Sequence, residues 1–219
     1  MLTLAEMTFW MLTTLVEVFV VFLFLIQGLF RKFLLLNTYL LFSATISMGR
    51  FAILHSFGVA SSEYAYFYYY TDALLALFLF LGLCELSMRL LGTKAARRKA
   101  GLWSAGALLA TSWFSFLVAS SRGTRVKTFF VLELSQNIYF VCCLLIALLW
   151  VWKLRNYPED RMAARFVNVL SVYFSLFILM YGAHLLAPQA PSLTYNLAPM
   201  MGAWLPLGCC FVLVSPEQH

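Results

Sequence analysis

Long apolar runs separated by short polar breaks make up nearly the whole chain, and seven such runs can be marked off. They are Met7–Phe30, Phe33–Phe57, Tyr64–Leu91, Ala100–Ser120, Thr128–Trp152, Phe166–Leu186 and Tyr195–Val214. A hydrocarbon core of roughly 30 Å takes about 20 apolar residues as a helix, so each run is of spanning length. The pattern predicts an all-α integral membrane protein, a single domain over residues 1–219 with seven transmembrane helices. Span 4 is rich in small residues (Gly101, Ala105, Gly106, Ala107, Ala110, Ser112, Ser115), which lets backbones approach closely and predicts a central helix. In span 7, Pro199 and Pro206 each remove a helical hydrogen bond and favour a kink.

Composition strengthens this reading. The 219 residues are 63% hydrophobic and only 11% charged, with a mean hydropathy of +0.86. Soluble domains carry roughly 25% charged residues, so this chain cannot cover a water-facing surface and lipid must be its solvent. The net charge of +6 does not point to nucleic acid, because the basic residues lie in the breaks between spans rather than on one face. One side collects Arg31, Lys32, Lys94, Arg97, Arg98, Lys99, Lys153, Arg155, Arg161 and Arg165; the other has Arg122, Arg125 and Lys127. Positive residues accumulate on the inner side, which puts the N-terminus outside and Ser215–His219 inside. The opening MLTLAEM lacks the basic region of a signal peptide, so the first span is expected to stay.

Charged groups within a span cost roughly 2.5–3.5 kcal/mol on insertion scales and need a partner or a function. Span 3 carries two, Asp72 below a tyrosine-rich head and Glu85 ahead of Arg89. Glu85 and Arg89 form an acid-before-base pair one turn apart, which reads as an interfacial anchor. Asp72 lies at the depth of Arg50 in span 2, and the short loop between the spans makes them antiparallel neighbours; an Arg50–Asp72 ion pair is expected. Glu133 in span 5 sits at a similar depth, with Gln136 and Asn137 on the same helix face. His184 near the end of span 6 falls in this layer, and Glu17 in span 1 lies deeper. Glu17, Arg50, Asp72, Glu133, Gln136, Asn137 and His184 are therefore the candidate ligand-binding residues, lining a polar pocket open to the outside. The competing reading is a set of separate interhelical hydrogen bonds.

Other chemistry finds little support. The five cysteines (Cys84, Cys142, Cys143, Cys209, Cys210) all lie in apolar segments and read as small apolar fillers rather than a disulfide framework or metal site. Span 7 has no lysine for a retinal Schiff base, and His55, His184 and His219 are too few for paired haems. H-E-x-x-H, G-x-S-x-G and P-loop motifs are absent. No catalytic residue, cofactor or metal is expected, and the chain reads as a non-enzyme.

The span-3 segments YFYYYTD and CELSMR resemble those of small bacterial seven-helix membrane proteins of uncharacterised function, and are broadly similar to the seven-helix sensor modules fused to signalling kinases. The resemblance implies the fold and a bacterial cytoplasmic (inner) membrane location, and it assigns no site residues. The expectation is a receptor-like or sensor-like module that takes a small ligand or ion from the outer side. Its partners would be the lipid bilayer and a protein at the inner loops, notably Lys153–Arg165. Two alternatives remain: a small transporter with a 3+1+3 helix repeat, spans 1–3 and 5–7 joined by span 4, or a structural subunit of a larger membrane complex.

Overall fold

A computed structural model describes residues 4–58, 60–91, 93–121, 126–155, 160–186 and 191–215, with side chains described outside 4–6, 126–127, 180–186 and 191–202. The described residues form seven helices and no strand: α1 (Leu4–Ile26), α2 (Leu34–Phe57), α3 (Ser62–Leu90), α4 (Lys94–Ser121), α5 (Val126–Arg155), α6 (Arg161–Leu186) and α7 (Pro191–Val214). Six of them are long and apolar enough to cross a membrane. These are the helices of an integral membrane protein. In α7 the apolar stretch with described side chains, Ala203–Val214, is shorter.

Most boundaries fall within a few residues of those the apolar runs predict. The segment Lys94–Lys99, expected as a loop, instead forms the first turns of α4. Hydropathy marks where a helix enters lipid, and a helix that continues into water carries its charges with it. The α1–α2 turn uses Gly28 at φ +66 and α2 ends at Gly58 with φ +82, backbone values that favour glycine. Helix α3 starts at Ser61, whose hydroxyl accepts the Tyr64 N–H at 3.1 Å as an N-cap.

The bundle is built around α3, which packs on α2, α4, α5 and α6. Neighbours then run α1–α2–α3–α5–α6–α7 and back to α1, with α4 against the outside of α3 and α5. Of the residues in the most apolar stretch of α3, 61% are buried, against 17% in α4. The small-residue expectation for α4 is thus corrected: α4 is peripheral. A Cβ built on Gly101 or Gly106 meets nothing within 4 Å, and Trp103, Leu109 and Trp113 are exposed. Its small residues permit close approach, but only the Thr111–Ser115–Ala119 line is buried. Close approach occurs at three other glycines, of which Gly49 of α2 lies against the Phe67 ring of α3. Gly82 of α3 lies against the Leu36 backbone of α2, and Gly208 of α7 lies against Val169 of α6.

One contact sets the geometry of the basic end. Helix α2 begins at Phe33, which offers no capping side chain, and the free amides of its first turn are satisfied from α3. Glu85 Oε1 accepts the Leu34 N–H at 3.0 Å, and Oε2 accepts those of Leu35 and Leu36 at 3.0 and 3.3 Å. Arg89 Nη2 stands 3.7 Å from Glu85 Oε1, the pairing expected one turn along, while its guanidinium covers the Phe33 ring at 5.0 Å. The fully buried rings of Phe24, Phe33 and Phe166 pack together beside it, tying α1 and α6 to the start of α2.

Two outcomes follow for thermal unfolding in detergent. Glu85→Ala strips three helix-end amides of their acceptor and should cost about 1–3 kcal/mol. Glu63→Ala, at an exposed first-turn position of α3, should cost about 0.5 kcal/mol or less. Equal losses would show that the cap contributes nothing. Gly208→Ala puts a methyl inside contact distance of Val169 Cγ1 and should cost about 1–3 kcal/mol. Adding Val169→Ala should recover most of that loss; no recovery would place the strain elsewhere.

Candidate functional site

In the hydrocarbon, a polar side chain must find its partner on another helix. The singled-out residues do so pairwise. Glu17 of α1 is buried, and its Oε1 accepts the Ser43 hydroxyl of α2 at 2.7 Å. Further along the same interface the Trp10 indole N–H donates to Ser47 Oγ, and Thr14 and Ser47 share a hydroxyl contact at 3.0 Å.

Arg50 of α2 crosses to α3 as expected, but to a different group. Its Nε and Nη2 donate to Thr71 Oγ1 at 3.1 and 2.9 Å, and Nη2 also reaches the Tyr68 carbonyl at 3.2 Å. The guanidinium lies 4.1 Å from the Tyr68 ring centroid, a cation–π contact. Asp72 instead accepts the Tyr139 hydroxyl of α5 at 3.3 Å. The expected Arg50–Asp72 ion pair is therefore corrected: Arg50 interacts with Asp72 only as a nearby charge. Counting residues along two helices fixes height and leaves rotation open. One residue is about 100° around a helix, so Thr71 faces α2 while Asp72 faces α5.

On α5 the three polar residues separate. Asn137 Nδ2 donates to Ser115 Oγ of α4 at 3.0 Å, Gln136 is exposed, and Glu133 is half-buried and partnered. His184 lies in α6, with its side chain outside the described residues. The candidates thus occupy four interfaces, α1–α2, α2–α3, α3–α5 and α4–α5, rather than one shared wall.

Three tyrosines missed by the sequence reading join part of this set. Tyr39 of α2 is buried, and its hydrophobic neighbours are those of the apolar core. Tyr139 of α5 donates to Asp72, and Tyr173 of α6 packs its ring edge against Phe174. Glu17, Tyr39, Asp72, Tyr139 and Tyr173 come one from each of five helices, and the hydrogen bond that joins two of them is Tyr139 to Asp72. The available signal was position: Tyr139 and Tyr173 lie at mid-helix, away from the interface where membrane tyrosines usually sit. A buried tyrosine hydroxyl needs a partner.

Among the described residues, neither Glu17 nor Asp72 has an ion-pair partner, and no group of three or more His, Cys, Asp or Glu could hold a metal. The cysteines are free; Cys84, Cys142 and Cys209 are packed in the apolar core. No family model, curated protein or solved structure matches the chain.

The Glu17–Ser43 contact gives a direct test. Ser43→Ala should lower stability by about 1–3 kcal/mol, because a buried carboxyl loses its hydroxyl donor. In a Glu17→Leu background the same change should be nearly neutral. An equal loss in both backgrounds would mean that the bond contributes nothing.

Proposed function

We propose that the chain is a non-enzymatic, sensor-like membrane module of seven spans with its N-terminus outside. In this reading Glu17, Tyr39, Asp72, Tyr139 and Tyr173 act as one interior layer that takes up a proton or a small cation from the outer side, and a protein partner at the basic end receives the signal. One observation carries this reading. Two carboxyls, Glu17 and Asp72, stand on different helices, each accepting from a neutral hydroxyl and neither in an ion pair among the described residues. Acids held within a membrane span mark ion pathways and proton relays. The layer touches five helices, so a change of charge there bears on the packing of most of the bundle. The excess of basic residues around Lys32, Lys94–Lys99 and Arg161–Arg165 supports the orientation.

Infrared difference spectra of the protein in liposomes, recorded across a pH titration, read carboxyl protonation directly. The wild type should show carboxylic C=O bands that Glu17→Gln and Asp72→Asn each diminish. Spectra identical in all three proteins would remove the acids from the proposal.

A second reading, a proton- or cation-coupled transporter, is favoured by the helix contacts. Exchanging α1–α3 with α5–α7 maps α1–α2 onto α5–α6, α2–α3 onto α6–α7, and α1–α7 onto α3–α5, as a parallel repeat requires. The α3–α6 contact is not reproduced at comparable strength among the described residues. Proteoliposomes holding a pH-sensitive dye separate the two readings. Proton flux abolished by Glu17→Gln supports transport; no flux through the wild type, with the infrared bands intact, supports sensing.

A further inference from the structure

At the basic end, the α1–α2 turn, the start of α6 and the end of α7 enclose an open cavity of about 340 Å³. Gln27, Lys32 and Arg165 give it polar walls, and Leu29, Met162 and Val214 give it apolar ones. Part of the polar set is structural. Gln27 Nε2 donates to the Leu213 carbonyl at 3.0 Å, and Lys32 Nζ pairs with Asp160 Oδ2 at 3.0 Å, while Asp160 also accepts the Ala163 N–H at the start of α6. Arg165 is less committed. Its described bond is one long contact, Nη1 to the Ser215 carbonyl at 3.4 Å, which leaves most of the guanidinium's five N–H donors for another acceptor. With Lys32 and Arg165 set against Asp160, the wall keeps an excess positive charge.

Apolar side chains are exposed on the helices beside the cavity, and one of them, Val214, also lines it. Along α1 and α7, which pack together, Phe22, Leu25, Ile26, Phe211 and Val214 are all exposed. A cationic recess beside exposed apolar faces of α1 and α7 matches an anionic phospholipid: a phosphodiester in the recess and acyl chains along those faces. Basic pockets between helices on the inner side recognise anionic headgroups by this chemistry, and a guanidinium fork suits phosphate oxygens.

We propose that this cavity is a binding site for an anionic phospholipid, with Arg165 as the main phosphate ligand and Lys32 as the second cation. The site lies at the opposite end of the bundle from the tyrosine-rich head, and the proposal does not rest on the sensor reading.

The test uses the full chain, purified and delipidated in detergent, with native mass spectrometry and thermal unfolding as readouts. Dioleoylphosphatidylglycerol should bind saturably and raise the thermal midpoint, and dioleoylphosphatidylcholine should do neither. Arg165→Gln should weaken phosphatidylglycerol binding by roughly fivefold to tenfold. Arg98→Gln, which removes an equal charge from an exposed position on α4, should leave binding unchanged. Val214→Trp keeps both cations and blocks the cavity from an exposed position, so it should also lose the bound lipid even if Arg165→Gln fails to fold. Equal binding of the two lipids, or wild-type affinity in either cavity variant, would overturn the proposal. The same thermal shift from inorganic phosphate alone would overturn the lipid assignment in favour of a free-anion site.

Discussion

The carboxylate of Glu85, spread over the first three amides of α2, holds the frame on which the rest of the bundle is hung. A helix that starts in or near lipid with no capping residue of its own leaves amides that water cannot reach, and a neighbour must supply the acceptor. Here α3 supplies it, and the consequences run the length of the hairpin. Fixing α2 against α3 at that end seats Gly82 on the Leu36 backbone and brings Phe33 under Arg89. At the far end the same alignment lets Arg50 reach Thr71 and Tyr68. With α2 held there, α1 can pack against it and place Glu17 at Ser43.

Helix α3 therefore serves two kinds of acid in two ways. Glu85, near the basic end, has backbone donors and Arg89 around its carboxylate, an arrangement that fixes position. Asp72 accepts from the Tyr139 hydroxyl, with Ser135 beside it and the Arg50 charge nearby but not paired to it. Helix α3, which packs on α2, α4, α5 and α6, carries both acids on one rod. The polar layer and the frame are thus two regions of one helix with different chemistry.

How much of this could be read from sequence divides along physical lines. Span positions and the basic end follow from transfer energies, which depend on composition alone, and the helices α1–α7 fall where the apolar runs put them. Depth along a helix is also legible, which is why Arg50 was correctly directed to α3. Rotation about the helix is not, and so Thr71 was overlooked beside Asp72. Tyr139 reaches Asp72 from a helix far away in the chain, which no depth count between neighbouring spans identifies. The small residues of α4 were over-read for a related reason: glycine permits close packing, and whether a neighbour arrives is decided by the whole bundle. The Glu85 cap was hidden because backbone amides have no residue type, although the missing cap at Phe33 was a visible gap that something had to fill.

The central claim is that Glu17 and Asp72 belong to one connected layer rather than to two private hydrogen bonds. Thermodynamic coupling between sites is reciprocal, so neutralising one acid must alter the titration of the other if they are linked. The most direct measurement is carboxyl-carbon NMR of selectively labelled Glu17 across a pH titration, in the wild type and in Asp72→Asn. The connected layer predicts that the Glu17 midpoint moves when Asp72 is neutralised. Superimposable Glu17 titrations in the two proteins would contradict it.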